Sequence, residues 1–245
     1  MSVLLFLLGL ATGSFLNLCI DRLPERESIL SPPSHCDVCQ HKLRPLDLVP
    51  LLSYLYLKGR CRYCGAKIHY RLPLVEAMTG LIFVLLWYQY GFSIELPLAI
   101  LFACLFIVIL VIDIEHHLIL NRVVYPAIAL AFLVIILIPN YGIISAVIGG
   151  VTGAGILLLL ALIFPGGMGM GDVKLAALIG LLVGFPQVLI ALLICFVLGG
   201  AVAGGLLLAK LRGRKDPVPL APFLTAGLIT TMFYGEEILR LYLGG

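Results

Sequence analysis

The chain has 245 residues, of which 62% are hydrophobic and only 12% are charged, and its formal net charge is +3. A soluble domain carries about 25% charged residues, so this composition excludes the soluble classes and indicates a polytopic membrane protein. Nine of the sixteen Lys and Arg residues fall between positions 21 and 72. A nucleic-acid binder needs an extended basic face, and we therefore expect no nucleic-acid partner.

Eight apolar segments are candidates for crossing a bilayer, which takes about 20 residues. The first has no basic start and no clear small-x-small cleavage site, so we interpret it as a retained span rather than a signal peptide. The sixth is short, and Gly184-Phe185-Pro186 predicts a sharp turn into the seventh. The predicted spans are 2–20, 73–90, 96–112, 123–139, 143–164, 173–184, 187–208 and 220–234.

The distribution of basic residues predicts the orientation of these spans. With the N-terminus outside, the inner loops 21–72, 113–122, 165–172 and 209–219 hold nearly all Lys and Arg, and Arg240 alone lies outside. The positive-inside rule therefore places both termini outside. This agreement requires the short sixth span to be one half of a hairpin. Glycine-rich stretches at 149–155 and 199–205 favour close packing between spans.

The segment 21–72 is the one part of the chain whose composition suits folding in water. It separates a first transmembrane helix, 1–20, from a transmembrane domain, 73–245. Paired C-x2-C motifs are typical of a tetrahedral zinc site, and a segment this short needs such a staple. Four unmetallated or disulfide-paired thiols are the alternative, although an inner, reducing location disfavours disulfides. The proposed zinc ligands are Cys36, Cys39, Cys61 and Cys64.

We interpret this zinc as structural, because four thiolates leave no open position for a water. His35, His41 and His69 are near enough in sequence to replace a cysteine, but a single histidine near such a motif is more often a loop residue. The three remaining cysteines lie singly inside spans, where apolar packing is the better interpretation.

Two aspartates stand out among the apolar spans. Asp113 follows the run 96–112, and Asp172 follows a glycine-rich turn at 165–171. A carboxylate at membrane depth is costly and by default marks a functional site. Asp113 alone is equally consistent with a solvated helix end, which we prefer for Glu115, His116 and His117. Asp172 is also consistent with a simple helix cap, although a cap does not explain the glycines.

Both aspartates are predicted on the cytoplasmic side, so together they suggest an intramembrane aspartyl protease. Two close carboxylates do not easily both ionise, so one keeps a proton while the other acts as a base toward water. Lys174 can pair with a carboxylate or with lipid headgroups. The alternatives are a proton- or cation-coupled transporter, with the aspartates as ion ligands, and a non-catalytic membrane scaffold whose zinc domain recruits a partner.

These residues together resemble the type IV prepilin peptidases, the leader peptidases of type II secretion and competence systems. The resemblance covers nearly the whole chain, and Gly171-Asp172 with Val173-Lys174-Leu175 is its most specific part. The other matching segments are 13–17 (Gly-Ser-Phe-Leu-Asn), 22–24, 32–36, 59–65, 70–76 and 219–227.

The resemblance implies an all-α polytopic enzyme of the bacterial inner membrane with about eight transmembrane helices and a small cytoplasmic zinc domain. It would be a Gly-x-Gly-Asp aspartyl endopeptidase that cuts the leader of type IV prepilins or pseudopilins after a glycine. Asp113 and Asp172 match the catalytic pair. The supporting residues are Gly169, Gly171, Lys174 and Glu115.

Relatives with both cysteine motifs are typically bifunctional, so the resemblance also implies N-methylation of the new N-terminus with S-adenosylmethionine. The residues indicate no methyl-donor site independently; Lys58, Gly59 and Glu76 are the candidates. The sequence departs from the family pattern at two positions. Glu115 replaces a second aspartate, which argues against an essential role there, and Leu120 replaces a proline, which bears on how the fourth span begins.

Overall fold

The computed structural model describes residues 1–138, 142–164, 168–210 and 218–243, and the side chains of 242 and 243 are not described. In these ranges the chain forms nine α-helices, one 3-10 helix and no β-strand, which confirms the all-α class. The helices are α1 Ser2–Glu25, α2 Leu52–Tyr56, α3 Arg71–Tyr90, α4 Glu95–His116, α5 Asn121–Leu137, α6 Ile143–Ile163, α7 Met170–Val183, α8 Gln187–Leu208 and α9 Ala221–Leu243.

All of these helices except α2 match predicted spans. Among the described residues α1, α3, α4, α6 and α8 are long and apolar enough to cross a membrane, and α5 is a shorter apolar helix. The predicted short sixth span is the 14-residue helix α7, which three residues separate from α8. Parts of the predicted fourth span, glycine-rich turn and last basic loop, namely 139, 165–167 and 211–217, lie outside the described residues.

The chain forms two compact units, residues 1–108 and 109–245. In the first unit α1 packs against α3 through small residues. A Cβ atom on Gly13 would lie 2.7 Å from the Cα atom of Glu76, and one on Gly9 would lie 2.7 Å from the Cα atom of Gly80. Glycine at these positions therefore allows the two backbones to approach more closely than side chains would permit. The domain boundaries predicted from composition, at 20 and 72, stay a prediction.

In the second unit α6 and α7 are in backbone contact at glycines. A Cβ atom on either Gly149 or Gly180 would overlap the carbonyl oxygen of the other residue. The close packing predicted for 149–155 is therefore confirmed at Gly149. The same prediction for 199–205 is wrong at three glycines, because a Cβ atom there would meet no described atom within 4 Å; these are Gly200, Gly204 and Gly205. Clustered glycines indicate close packing only where a neighbouring helix faces them.

The substitution Gly180→Ala should destabilise the second unit, because its methyl group would overlap the α6 backbone. Overpacking of this kind costs about 1–3 kcal/mol. We expect the unfolding temperature of the purified protein in detergent to fall by roughly 2–10 °C. Gly204→Ala is the matched control and should leave that temperature unchanged or slightly higher, since alanine favours helix. Equal effects of the two substitutions would contradict the contact.

Candidate active site and metal centre

Asp113 lies in the last turn of α4 rather than in a loop. The helix stops because His117 adopts a left-handed φ of 53°, and its N–H donates to the Asp113 carbonyl at 3.0 Å. This arrangement is a common C-terminal capping motif. The Asp113 side chain is buried, with 5% of its surface exposed, whereas Glu115 two residues later is exposed. The structure thus separates these two carboxylates as the sequence predicted.

The Asp113 carboxylate is held by the start of α9. Its Oδ2 accepts a hydrogen bond of 3.0 Å from the backbone N–H of Ala221, the first residue of that helix. Helix N-termini carry unsatisfied N–H groups and a partial positive charge, so they stabilise an anion. A buried carboxylate needs such a partner, and here it comes from a residue distant in the sequence.

Asp172 is the third residue of α7, so the helix begins two residues earlier than the aspartate. Gly169 precedes the helix in an extended conformation, and its N–H donates to Asp172 Oδ2 at 3.1 Å. The carboxylate therefore does take part in capping its helix, but from the N3 position, because the N-cap residue is Gly169. Gly171 is required by packing, because a Cβ atom there would lie 2.6 Å from the Cβ of Ile119. The segment that follows Asp113 thus lies directly against the beginning of α7.

The structure brings Asp113 and Asp172 close enough for their charges to interact. Lys174 does not have either carboxylate as its described hydrogen-bond partner. Its Nζ donates to Asn121 Oδ1 at 2.7 Å and lies 4.9 Å from the centre of the Tyr125 ring. Lys174 therefore joins α7 to the beginning of α5.

Three partners in this site were not identified from the sequence. Asn121 and Tyr125 hold Lys174, and Ala221 supplies a backbone N–H to Asp113. Asn121 directly follows the segment around Asp113, but a backbone donor leaves no sequence signal at all. The family departure at Leu120 proves mild: Leu120 precedes α5 with φ −73° and ψ 123°, a conformation that proline also adopts.

The four predicted zinc ligands come together in the first unit. Their sulfur atoms all lie within 4.8 Å of one another, and the Sγ atoms of Cys36 and Cys64 are 3.8 Å apart. A tetrahedral site with Zn–S bonds of about 2.3 Å has sulfur–sulfur edges of about 3.8 Å. The donor set and its spacing therefore fit zinc. Among the described residues no histidine joins this cluster.

The two C-x2-C motifs fold in the same way. The N–H of Cys36 donates to His41 and the N–H of Cys61 donates to Ala66, each closing one turn. The residue after each motif has positive φ: 57° at Gln40 and 72° at Gly65. Two equivalent turns thus present two sulfur atoms each to a common centre.

The thiols differ in acidity. A backbone hydrogen bond from Cys39 is the main cause that lowers the pKa of Cys36 to about 7. The backbone N–H of Ala66 acts in the same direction at Cys64, but burial and hydrogen bonds with the other three thiols raise the pKa of Cys64 to about 12. A metal ion bound here would replace the thiol protons, because the ligands of zinc are thiolates.

The methyl-donor candidates occupy different environments. Lys58 and Gly59 form an exposed to half-exposed turn with positive φ values of 51° and 69°. Glu76 is buried in α3, with 8% exposed, and its Oε2 accepts the backbone N–H of Leu51 at 2.9 Å. Ser14 also donates to this carboxylate. Glu76 is therefore already engaged in holding the loop that leads to α2.

A helical membrane protein with paired carboxylates at helix ends and a four-cysteine cluster corresponds to a class of membrane-embedded peptidases. Two family models match the chain: Bacterial Peptidase A24 N-terminal domain over residues 7–90, and Type IV leader peptidase family over residues 100–204. The first range contains the cysteines and the second contains both aspartates. No solved structure matches the chain significantly.

Several relatives named "Prepilin leader peptidase/N-methyltransferase" match nearly end to end. The protein from Bacillus subtilis (strain 168) is 34% identical over 98% of this chain and 97% of its own length. Those from Aeromonas salmonicida (strain A449) and Pseudomonas aeruginosa PAO1 are 32% and 31% identical, over 98% and 97% of this chain and 93% and 91% of their own lengths. The chain belongs to the type IV leader peptidase family, and it is a multi-pass membrane enzyme.

Replacing Cys36 or Cys61 with Ser should release the metal, because a tetrahedral site that loses one thiolate binds zinc poorly. Elemental analysis of the purified full-length protein should find about one zinc per chain in the wild type and much less in either variant. The segment 21–72 should then become sensitive to limited proteolysis. His35→Ala is the control that should keep its zinc, since the His35 ring bonds the Pro33 carbonyl. Unchanged metal content in both cysteine variants would refute this site.

Proposed function

We propose that this protein is an intramembrane aspartyl endopeptidase that cuts the leader peptide of type IV prepilins or pseudopilins after a glycine. The supporting observation is the pairing of Asp113 and Asp172, each with one oxygen bonded to a backbone N–H at the start of a helix. Those bonds fix both carboxylates in place. The family and the names of its relatives agree with this activity.

The proposed mechanism uses the two carboxyl groups as a unit that holds one proton. The ionised group takes a proton from a water molecule, whose oxygen attacks the carbonyl carbon of the scissile peptide. The protonated group meanwhile donates to the carbonyl oxygen. When the tetrahedral intermediate collapses, the C–N bond breaks and the leaving nitrogen receives a proton. The products are the leader carboxylate and the new N-terminal amine, and one water is consumed.

We further propose that the new amine is methylated with S-adenosylmethionine, as the names of the relatives suggest. The exposed Lys58-Gly59 turn has the right chemistry for the donor's carboxylate, since an ammonium group can pair with it. Glu76 is buried and engaged, so we assign it an indirect role through its bond to Leu51. The bound donor would supply the methyl group, and the amine would supply the attacking electron pair.

The proposed orientation follows the basic residues of the sequence. Both termini lie outside, and the zinc domain at 21–72 and the aspartate pair face the cytoplasm. This side is also where a leader peptide awaits cleavage and where reducing conditions keep cysteines available for zinc. The zinc ion holds the loop together and takes no part in the hydrolysis, because its four thiolates leave no open position.

Replacing either Asp113 or Asp172 with Asn should abolish cleavage, because each variant loses one proton-transfer group. We expect a loss of roughly 10²- to 10⁴-fold in kcat with the fold intact. The assay is cleavage of a model prepilin by purified protein in lipid, read by mass spectrometry of the products. Methylated product would be heavier by about 14 Da, one methylene.

Glu115→Gln is the matched control, since it removes a nearby exposed carboxylate. It should cleave at close to the wild-type rate. Retained cleavage in either aspartate variant would rule out the proposed pair. No cleavage by the folded wild type would favour transport or scaffolding.

We also propose that Lys174 positions Asp172 by joining α7 to Asn121. Lys174→Met should lower kcat with little change in KM, because the spacing of the carboxylates matters for the chemical step rather than for substrate binding. Asn121→Leu should have the same effect, and the double variant should be no worse than either single one.

The pH profile separates this role from a direct charge effect. A positioning role leaves the acid limb of the kcat profile where it is in Lys174→Met. A lysine that acted by charge on the aspartates would shift that limb to higher pH when removed, because it favours their ionised form. Such a shift, or additive losses in the double variant, would contradict the positioning role.

A further inference from the structure

The short helix α2 presents its apolar residues outward. Leu52, Leu55 and Tyr56 are 66%, 66% and 80% exposed. Their spacing of three and four residues places them on one face of the helix. Tyr54, in contrast, lies against Gly59, where a Cβ atom would be 3.0 Å from the tyrosine ring. A domain that folded in water would not arrange its side chains in this way.

A neighbouring segment extends this apolar surface. The 3-10 helix Pro45–Leu48 packs against α2 and exposes 70% of Leu46 and 41% of Leu48. The exposed basic residues Arg44 and Arg60 flank the two helices in sequence. Apolar and aromatic side chains bordered by cations are typical of a helix that lies in a membrane interface.

One hydrogen bond fixes the level of α2 along α3, and a second bond joins α3 to α1. The Leu51 N–H, immediately before α2, donates to Glu76 at 2.9 Å, and Asn17 of α1 donates to the Leu72 carbonyl at 3.0 Å. Glu76 is the sixth residue of α3, so it lies about 7 Å along that helix from its beginning. Interfacial helices bury their apolar face to about 5–10 Å, which is the level at which this bond holds α2.

We propose that the surface formed by Leu46, Leu48, Leu52, Leu55 and Tyr56 lies in the headgroup region of the bilayer, and that its basic neighbours bind anionic lipid headgroups. The occupant is lipid because the residue before α2 is bonded to α3, which is long and apolar enough to cross the membrane and packs against α1, a second such helix. The flanking cations complement anionic phosphate. This inference stands on the first unit alone and does not depend on the proposed peptidase activity.

The test is tryptophan fluorescence of the full-length protein in vesicles. The chain has one tryptophan, Trp87, which is first replaced by Phe. In that background Leu55→Trp places the probe on the outer face of α2. Tyr54→Trp is the matched control on the inner face. Quenching by lipids brominated high on the acyl chain reports contact with the bilayer, and quenching by iodide reports contact with water.

We expect bromolipid quenching at position 55 to exceed that at position 54 by roughly twofold or more, with weak iodide quenching at both. Adding phosphatidylglycerol to phosphatidylcholine vesicles should increase the quenching at 55. Strong iodide quenching at 55 would show that the face is in water, and absence of both would show that protein covers it; either result overturns the inference. If bromolipid quenching at position 55 does not change when phosphatidylglycerol is added, the proposed binding of anionic headgroups is overturned. Circular dichroism confirms that each variant is folded.

Discussion

The hydrogen bond between Asp113 and Ala221 is the contact on which the second unit depends. A carboxylate that is 5% exposed among apolar helices loses its water, and the protein has to replace that hydration. The replacement is a free N–H at the beginning of α9, 108 residues further along the chain. Satisfying one buried carboxyl group thus fixes the start of the last helix beside the end of α4. Asp172 is satisfied in the same way within its own helix, because its carboxylate accepts the backbone N–H of Gly169 at the beginning of α7.

Glycine residues allow the backbone of α7 to approach its neighbours closely. At Gly171 the start of α7 meets Ile119, and at Gly180 the same helix meets α6. Lipid provides no hydrophobic driving force between helices, so close backbone contact has to supply the packing energy. Two glycines, Gly171 near the beginning of α7 and Gly180 in its second half, therefore allow this short helix to pack closely against its neighbours. The position of Asp172 is fixed by that packing as well as by its own hydrogen bond.

The sequence predicts the helices and the cysteine cluster of this protein better than it predicts where a helix begins or which side chains pair with one another. The helices and the cysteine cluster can be predicted from the sequence. A membrane span requires a long apolar segment, and a four-cysteine zinc site requires paired C-x2-C motifs. The sequence predicts the start of the sixth span at 173, three residues after α7 begins at Met170, because the residues before Val173 carry little helix signal. The role of Lys174 was open between a carboxylate and lipid, and only the structure assigns Asn121 as its partner. The outward-facing apolar side of α2 cannot be predicted either, because a helix of five residues is too short to show a hydrophobic periodicity.

Lys174 also bears on why two carboxylates can share a proton here. It lies two residues from Asp172, and an ammonium group that reached the carboxylate would hold it ionised as a salt bridge. Asn121 and Tyr125 instead accept the ammonium on the side of α5, one through its amide oxygen and the other through its ring face. The described hydrogen-bond donors to the two aspartates are neutral backbone N–H groups, which orient the carboxylates without adding a full charge. Under the proposed function, the charge interaction of Asp113 with Asp172 favours a single proton on the pair, so that one carboxyl group can act as acid while its partner acts as base.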